Sequence, residues 1–138
     1  MTEESNKAAV AAAFDAWAAG TGNPFDLLTD DAVWTITGSN AGAGTFRGKD
    51  ELFENTVVPF AARLGTPLVP VLQLLVAEGD TVVARFEATA TANDGSPYRN
   101  TYAWFLTMAD GRIAEVIAFF DGIEFDDYWN RVTPTPAA

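Results

Sequence analysis

A chain of 138 residues with 49% apolar content, ten Phe and four Trp can build one sizeable core, since a chain of this length buries roughly two-thirds of its unfolded surface. Having neither Cys nor His, it lacks the means for disulfides, thiol nucleophiles, Ser-His-Asp triads and the commonest zinc sites. A net charge of −11 with only eight Lys plus Arg argues against nucleic acid and anionic membrane surfaces, which need clustered cations.

The first residues, Met1 to Lys7, carry no basic region followed by an apolar run, and no apolar stretch reaches spanning length. The expectation is a cytoplasmic protein of one domain over residues 1–138, ordered from about residue 6 to 131, that takes a neutral or buried ligand.

In chain order, Val10, Phe14 and Trp17 share a stripe at helical spacing, supported by Ala9 and Ala13, and Gly20 stops the helix. Asn23-Pro24 predicts a capped short helix to Leu28. A strand follows at Val33 to Thr37, with Trp34 and Ile36 on one face. The Gly-rich run Gly38 to Gly44 predicts a mobile rim; it lacks the Gly-Lys-Ser/Thr ending of a phosphate-cradling loop and any dinucleotide spacing. A third helix carries Leu52, Phe53, Val57, Phe60 and Leu64, with Pro59 expected to kink or break it.

From Pro70 the period changes from helical to two. Strands are predicted at Val71–Val76, Thr81–Thr91, Tyr98–Met108 and Ile113–Phe120, joined by Glu78-Gly79-Asp80, Asn93-Asp94-Gly95 and Asp110-Gly111. A last short helix spans Ile123 to Arg131, and the tail from Thr133 is expected to fray. The acidic pairs Asp30-Asp31 and Asp126-Asp127 match no calcium-loop spacing and are expected to be solvated, so no metal is expected. No cofactor motif is visible either.

Helix, helix, strand, helix and meander follow in that order. With them come Phe46-Arg47-Gly48-Lys49-Asp50, Ala77-Glu78-Gly79-Asp80-Thr81-Val82-Val83, Tyr98 with Asn100, Asp110-Gly111-Arg112-Ile113 and Phe119-Phe120-Asp121. On these, the chain resembles the SnoaL-like branch of the nuclear transport factor 2-like superfamily from Val10 to about Trp129. That group also holds ketosteroid isomerases, polyketide cyclases and limonene epoxide hydrolases. The resemblance implies an α+β fold: a cone-shaped, curved antiparallel sheet wrapped around three N-terminal helices, with a short C-terminal helix, an apolar pocket and a homodimer. One fold hosting many chemistries leaves the reaction to the site.

Position by position, the resemblance removes more chemistry than it supplies. The basic aspartate of ketosteroid isomerases matches Thr35; their protonated aspartate falls at Tyr102 or Ala103 and their oxyanion tyrosine near Phe14. The Arg-x-Asp motif of the epoxide hydrolases looks like Arg85-Phe86-Glu87, while their second aspartate matches Ala118 and their water clamp matches Trp34 and Ile36.

Arg85 and Glu87 can therefore be placed in two ways. Alternation puts Val82, Ala84, Phe86 and Ala88 on the apolar side and leaves Arg85, Glu87 and Thr89 outside. The resemblance turns the charged pair inward, where Glu87 would act as a general base, oriented by Arg85, or the two would form a structural ion pair. Tyr102 is the second candidate, as proton donor or oxyanion partner. The candidate catalytic set is Glu87, Arg85 and Tyr102, and the candidate ligand-binding set is Trp17, Trp34, Ile36, Thr89, Asn100, Trp104, Ala118, Phe120 and Phe125. Asp121 is expected to cap the last helix.

The function expected is cofactor-independent acid–base chemistry (isomerase, cyclase, lyase or hydrolase) on a hydrophobic polyketide-, terpenoid- or steroid-like compound. The alternative is a non-catalytic binding protein for a lipophilic ligand.

Overall fold

In the computed structural model, which describes residues 2–136, helix α1 spans Glu3–Ala19. Thr2 starts it by accepting the Ser5 N–H, and Gly20 ends it in the left-handed conformation. A 3-10 turn over Pro24–Leu27, capped by Asn23, leads into β1, Leu28–Ile36. Strand β2, Gly44–Arg47, pairs with β1 where the sequence predicts only the end of the Gly-rich loop and the approach to the third helix. Its four residues are too few to show a period.

The next helical segment does not break at Pro59 but widens ahead of it. It runs as α2 (Lys49–Leu52), a π-turn (Phe53–Val57) and α3 (Val58–Ala61). Proline has no N–H to give to the ladder, and the wide turn lies directly ahead of it.

Strands β3 (Val69–Glu78), β4 (Thr81–Thr91), β5 (Pro97–Ala109) and β6 (Arg112–Phe120) follow, then α4, Gly122–Arg131. The β5–β6 turn shows why the Asp-Gly pair is informative: Asp110 and Gly111 both have positive φ, 51° and 77°, as a two-residue hairpin of the favoured twist requires.

The sheet order is β2-β1-β6-β5-β4-β3. The expected all-antiparallel sheet is corrected in one place, because β1 runs parallel to β6 and the six-stranded sheet is mixed. Bulges interrupt the β3–β4 register at Leu72/Leu74 and the β5–β6 register at Thr107/Met108.

One face of this sheet and the inner sides of the helices form the core. Val10 and Phe14 of α1 are buried with Phe86, Trp104 and Leu106 of the sheet. A second, smaller cluster joins Tyr98, Tyr128 and Val132. Arg63 ties the two ends of that region together: its guanidinium donates to the carbonyls of Pro59, Trp129 and Val132 and lies 4.1 Å from the Trp129 ring.

Two loop expectations change. The Gly38–Gly44 run is anchored to α4 by the Asp126 carboxylate, which accepts the Ala41 N–H at 2.7 Å, and a Cβ on Gly42 would sit 2.9 Å from the Phe125 ring. The tail is held as far as Thr135, whose N–H donates to the Ala62 carbonyl at 2.7 Å. The part of the tail at Ala137 and Ala138 lies outside the described residues. Among the described residues, no helix is long and apolar enough to cross a membrane.

Candidate functional site

Across the sheet, bulky and small side chains alternate in register. Ile36 lies beside Ala118, Ala118 beside Trp104, and Trp104 beside Ala84. A methyl group between an isoleucine and an indole leaves a hollow that the helices cover without filling. The result is a cavity of about 440 Å³, within the range of small-molecule sites.

Aromatic rings make most of its wall. Trp17 from α1 stacks on Trp104 at 5.9 Å with 11° between planes, and Trp34 meets Trp104 edge-on at 5.0 Å. Phe25 joins Trp34 to Phe53 of the π-turn. Phe120 and Phe125, stacked at 4.8 Å, close another side. The few polar side chains on the wall are Asn23, Thr56, Tyr102 and the indoles, and none of the lining residues is Asp, Glu, Lys or Arg.

Seven of the nine residues expected to bind ligand line this cavity: Trp17, Trp34, Ile36, Trp104, Ala118, Phe120 and Phe125. Thr89 does not, being exposed on the opposite face. Asn100 is buried behind the wall. Tyr102 borders the cavity. Leu52, Thr56 and Phe60 of the helical segment, and Leu64, which lies beyond its end and bridges Ala92, are further wall residues that the sequence reading does not single out. Their stripe is wider than one buried face requires, which is the available sequence signal.

The inward orientation expected for Arg85 and Glu87 is overturned. Phe86 is fully buried, whereas Arg85 is exposed and Glu87 is half-buried on the outer face. There Glu87 accepts both of its contacts from Arg99 Nη2 at 2.8 Å. Glu87 opposes Thr101, so Arg99 reaches it diagonally across two strands. The physical reason is alternation: Val82, Ala84, Phe86 and Ala88 are all buried, and one strand cannot bury both of its faces here. The charged pair is separated from the cavity by the sheet itself.

Tyr102 sits in a chain of hydrogen bonds that is fully buried at its far end. Its hydroxyl is 2.7 Å from that of Tyr98. The Asn100 amide nitrogen donates to the Tyr98 hydroxyl and to the Asp121 carbonyl, each at 3.0 Å. The Asn100 carbonyl oxygen accepts from the backbone N–H of Thr101 and of Asp121. Asp121 caps α4 by accepting from Ile123 and Glu124 N–H.

Burial pushes the Tyr98 hydroxyl up to about 12. Burial, with Tyr98 alongside, holds Tyr102 well above the ordinary tyrosine value. Tyr128, which donates to the Phe60 carbonyl, is likewise raised by burial. Removing a phenol from water penalises its anion. At neutral pH all three are neutral hydroxyls, able to donate but not to act as bases. Among the described residues, no three Asp or Glu side chains gather closely enough to hold a metal ion.

A mixed sheet with helices on one face and an aromatic cavity between them defines a pocket-bearing fold of the nuclear transport factor 2-like kind. The chain belongs to the SnoaL-like domain family, whose model matches residues 10–116. No curated protein matches the chain in sequence.

Several solved structures share the fold. Bal32a, from a soil-derived mobile gene cassette, superposes with a TM-score of 0.73 at 21% identity, covering 92% of this chain and 98% of that one. TerC, co-crystallised with polyporic acid, gives 0.71 at 20% identity, covering 91% and 98%. A candidate SnoaL-like polyketide cyclase from Jannaschia sp. CCS1 gives 0.70 at 19%, covering 95% of each chain. At such identities the likeness is one of fold.

Proposed function

We propose that this protein encloses a flat, hydrophobic organic molecule in the cavity behind Trp34 and Trp104 and holds it by one polar contact at Tyr102. The supporting observation is the wall: stacked and edge-on indoles around about 440 Å³ with no ionic side chain. Aromatic faces at these spacings attract planar π-systems, while a permanently charged ligand would be desolvated there without a partner. TerC, similar in fold, was crystallised with polyporic acid, and ligand enclosure is in keeping with that.

A catalytic version of the reading is favoured by Tyr102. A neutral phenol on an otherwise greasy wall can polarise a bound carbonyl and stabilise the enol form through which isomerisation or cyclisation proceeds. Glu87 and Arg85 take no part in it, since the sheet stands between them and the cavity.

Titration with planar aromatic compounds, followed by tryptophan fluorescence, tests the enclosure. Binding should quench Trp34 and Trp104; absence of quenching up to the solubility limit would remove the proposal. For the catalytic version, Tyr102→Phe should lower turnover well beyond its loss of affinity, which should not exceed about tenfold; turnover unchanged in the variant would leave only a binder.

The same reading includes assembly as a homodimer through the outer sheet face, where Val71, Val76, Phe105, Ile117 and Phe119 are exposed. A contiguous apolar surface of this kind marks an interface. Sedimentation should show a dimer that Phe105→Glu converts to monomer; a monomeric wild type at high concentration would contradict this.

A further inference from the structure

The hydrogen bonds behind Tyr102 have only one consistent direction. Asn100 is the fixed point. Its carbonyl oxygen takes two backbone N–H groups, from Thr101 at 2.8 Å and Asp121 at 3.0 Å, so its amide nitrogen must be the end that faces Tyr98. That nitrogen gives one hydrogen to the Asp121 carbonyl and the other to the Tyr98 oxygen. Asn100 is thereby saturated, and Tyr98 is obliged to accept from it.

Tyr98 carries one hydrogen of its own. Its side chain is buried, and among the described residues the only hydroxyl hydrogen-bonded to it is that of Tyr102, at 2.7 Å. Were Tyr102 to donate instead, the Tyr98 hydrogen would be left buried without an acceptor, at a cost of about 1–3 kcal/mol. Tyr98 therefore donates and Tyr102 accepts. The Tyr102 hydrogen then has no acceptor among the described residues, and Tyr102 is a wall residue of the cavity.

We infer that Asn100 and Tyr98 are positioning residues that direct the Tyr102 hydrogen into the cavity, and that the ligand is therefore a flat apolar molecule that places a hydrogen-bond acceptor, such as a carbonyl oxygen, against it. This rests on the enclosure reading above and narrows it. Each donated bond polarises the next along such a chain, strengthening it by about 10–30%, so the terminal Tyr102 hydroxyl is a better donor than an isolated phenol. A ligand group that can only donate, such as an ammonium or an indole N–H, would meet hydrogen against hydrogen at the same place.

The test uses 9-fluorenone as probe, with its carbonyl stretch measured by infrared difference spectroscopy and its affinity by tryptophan quenching. Bound to the wild type, the stretch should lie below its value in an alkane solvent. Tyr102→Phe should return it to the alkane value and weaken binding about 3- to 10-fold, the loss of one neutral hydrogen bond.

Tyr98→Phe should shrink the shift while Tyr102 remains in place, because the Tyr102 oxygen no longer receives a hydrogen. Asn100→Asp should also shrink it: a carboxylate cannot donate, Tyr98 turns toward it, and the Tyr98 oxygen becomes a competitor for the Tyr102 hydrogen. A purely structural role for either residue would alter affinity or stability without moving the stretch. Circular dichroism confirms that each variant is folded, and either of the two suffices.

A bound probe with an alkane-like stretch in the wild type overturns the donor assignment while leaving the enclosure standing. A shift unchanged in both Tyr98→Phe and Asn100→Asp overturns the positioning roles. Failure of fluorenone to bind folded wild type overturns the enclosure and this inference with it.

Discussion

Replacing Phe86 by Ala should destabilise the protein far more than replacing either charged neighbour on the same strand. Phe86 is fully buried and faces four aromatic partners: Tyr102 stacked at 4.8 Å, Trp104 and Phe14 edge-on at 4.8 and 4.9 Å, and Trp17 at 5.6 Å. Truncating such a ring removes its transfer energy and leaves a void that its rigid neighbours cannot collapse into, for a loss of about 4 kcal/mol. With a urea dependence of about 2 kcal/mol per molar, the unfolding midpoint should fall by about 2 M.

On the outer face the magnitudes are different. The Glu87–Arg99 pair is short, but the Arg99 side chain is 71% exposed, so water screens it and its worth is at most about 1 kcal/mol. Arg85→Ala and Glu87→Ala should therefore move the midpoint by less than about 0.5 M. Urea titration followed by circular dichroism, which does not depend on the tryptophans that Phe86 touches, makes the comparison. If Glu87→Ala proves costlier than Phe86→Ala, the strand is turned the other way, and the placement of the cavity fails with it.

Alkaline pH should unfold the protein. The Tyr98 hydroxyl titrates near 12 in the fold and near 10 in the unfolded chain, so the stabilisation is whole below pH 10. It is lost as pH rises from 10 toward 12, by about 3 kcal/mol from this group; urea midpoints that stay level over that window would refute the buried phenols. Ala118→Phe puts a ring into the gap between Ile36 and Trp104 and should cut fluorenone affinity more than about tenfold. Unchanged affinity would place the ligand elsewhere. Asp121→Ala removes the α4 cap and should cost about 1 kcal/mol. Faster hydrogen exchange at Ile123 and Glu124 than elsewhere in the chain would confirm that the loss is local.

Much of this protein follows from its linear pattern. The two-residue period of β4 already separates Val82, Ala84, Phe86 and Ala88 from Arg85 and Glu87, and the fold obeys it. Family resemblance argued for the opposite orientation and was outweighed, because turning the charges inward would expose Phe86 and every apolar neighbour on its face. Asp110-Gly111 marks its hairpin, and Pro59 the widened turn of its helix, through backbone restrictions that act within a few residues.

What the tertiary structure alone decided is where small and large side chains from distant strands meet. Ala118 beside Trp104 and Ile36 makes the hollow, and those three residues come from three strands whose register, including the parallel β1–β6 pairing, no local pattern specifies. The Tyr98–Tyr102 bond is of the same kind. Four residues of flat strand separate two side chains by about 13 Å, yet their hydroxyls lie 2.7 Å apart. Only the packing of Phe60 and Tyr128 on one ring, and of Phe86 on the other, leans them together over Asn100. Periodicity assigns a residue to a face, while contacts across that face are set by how strands from far along the chain line up.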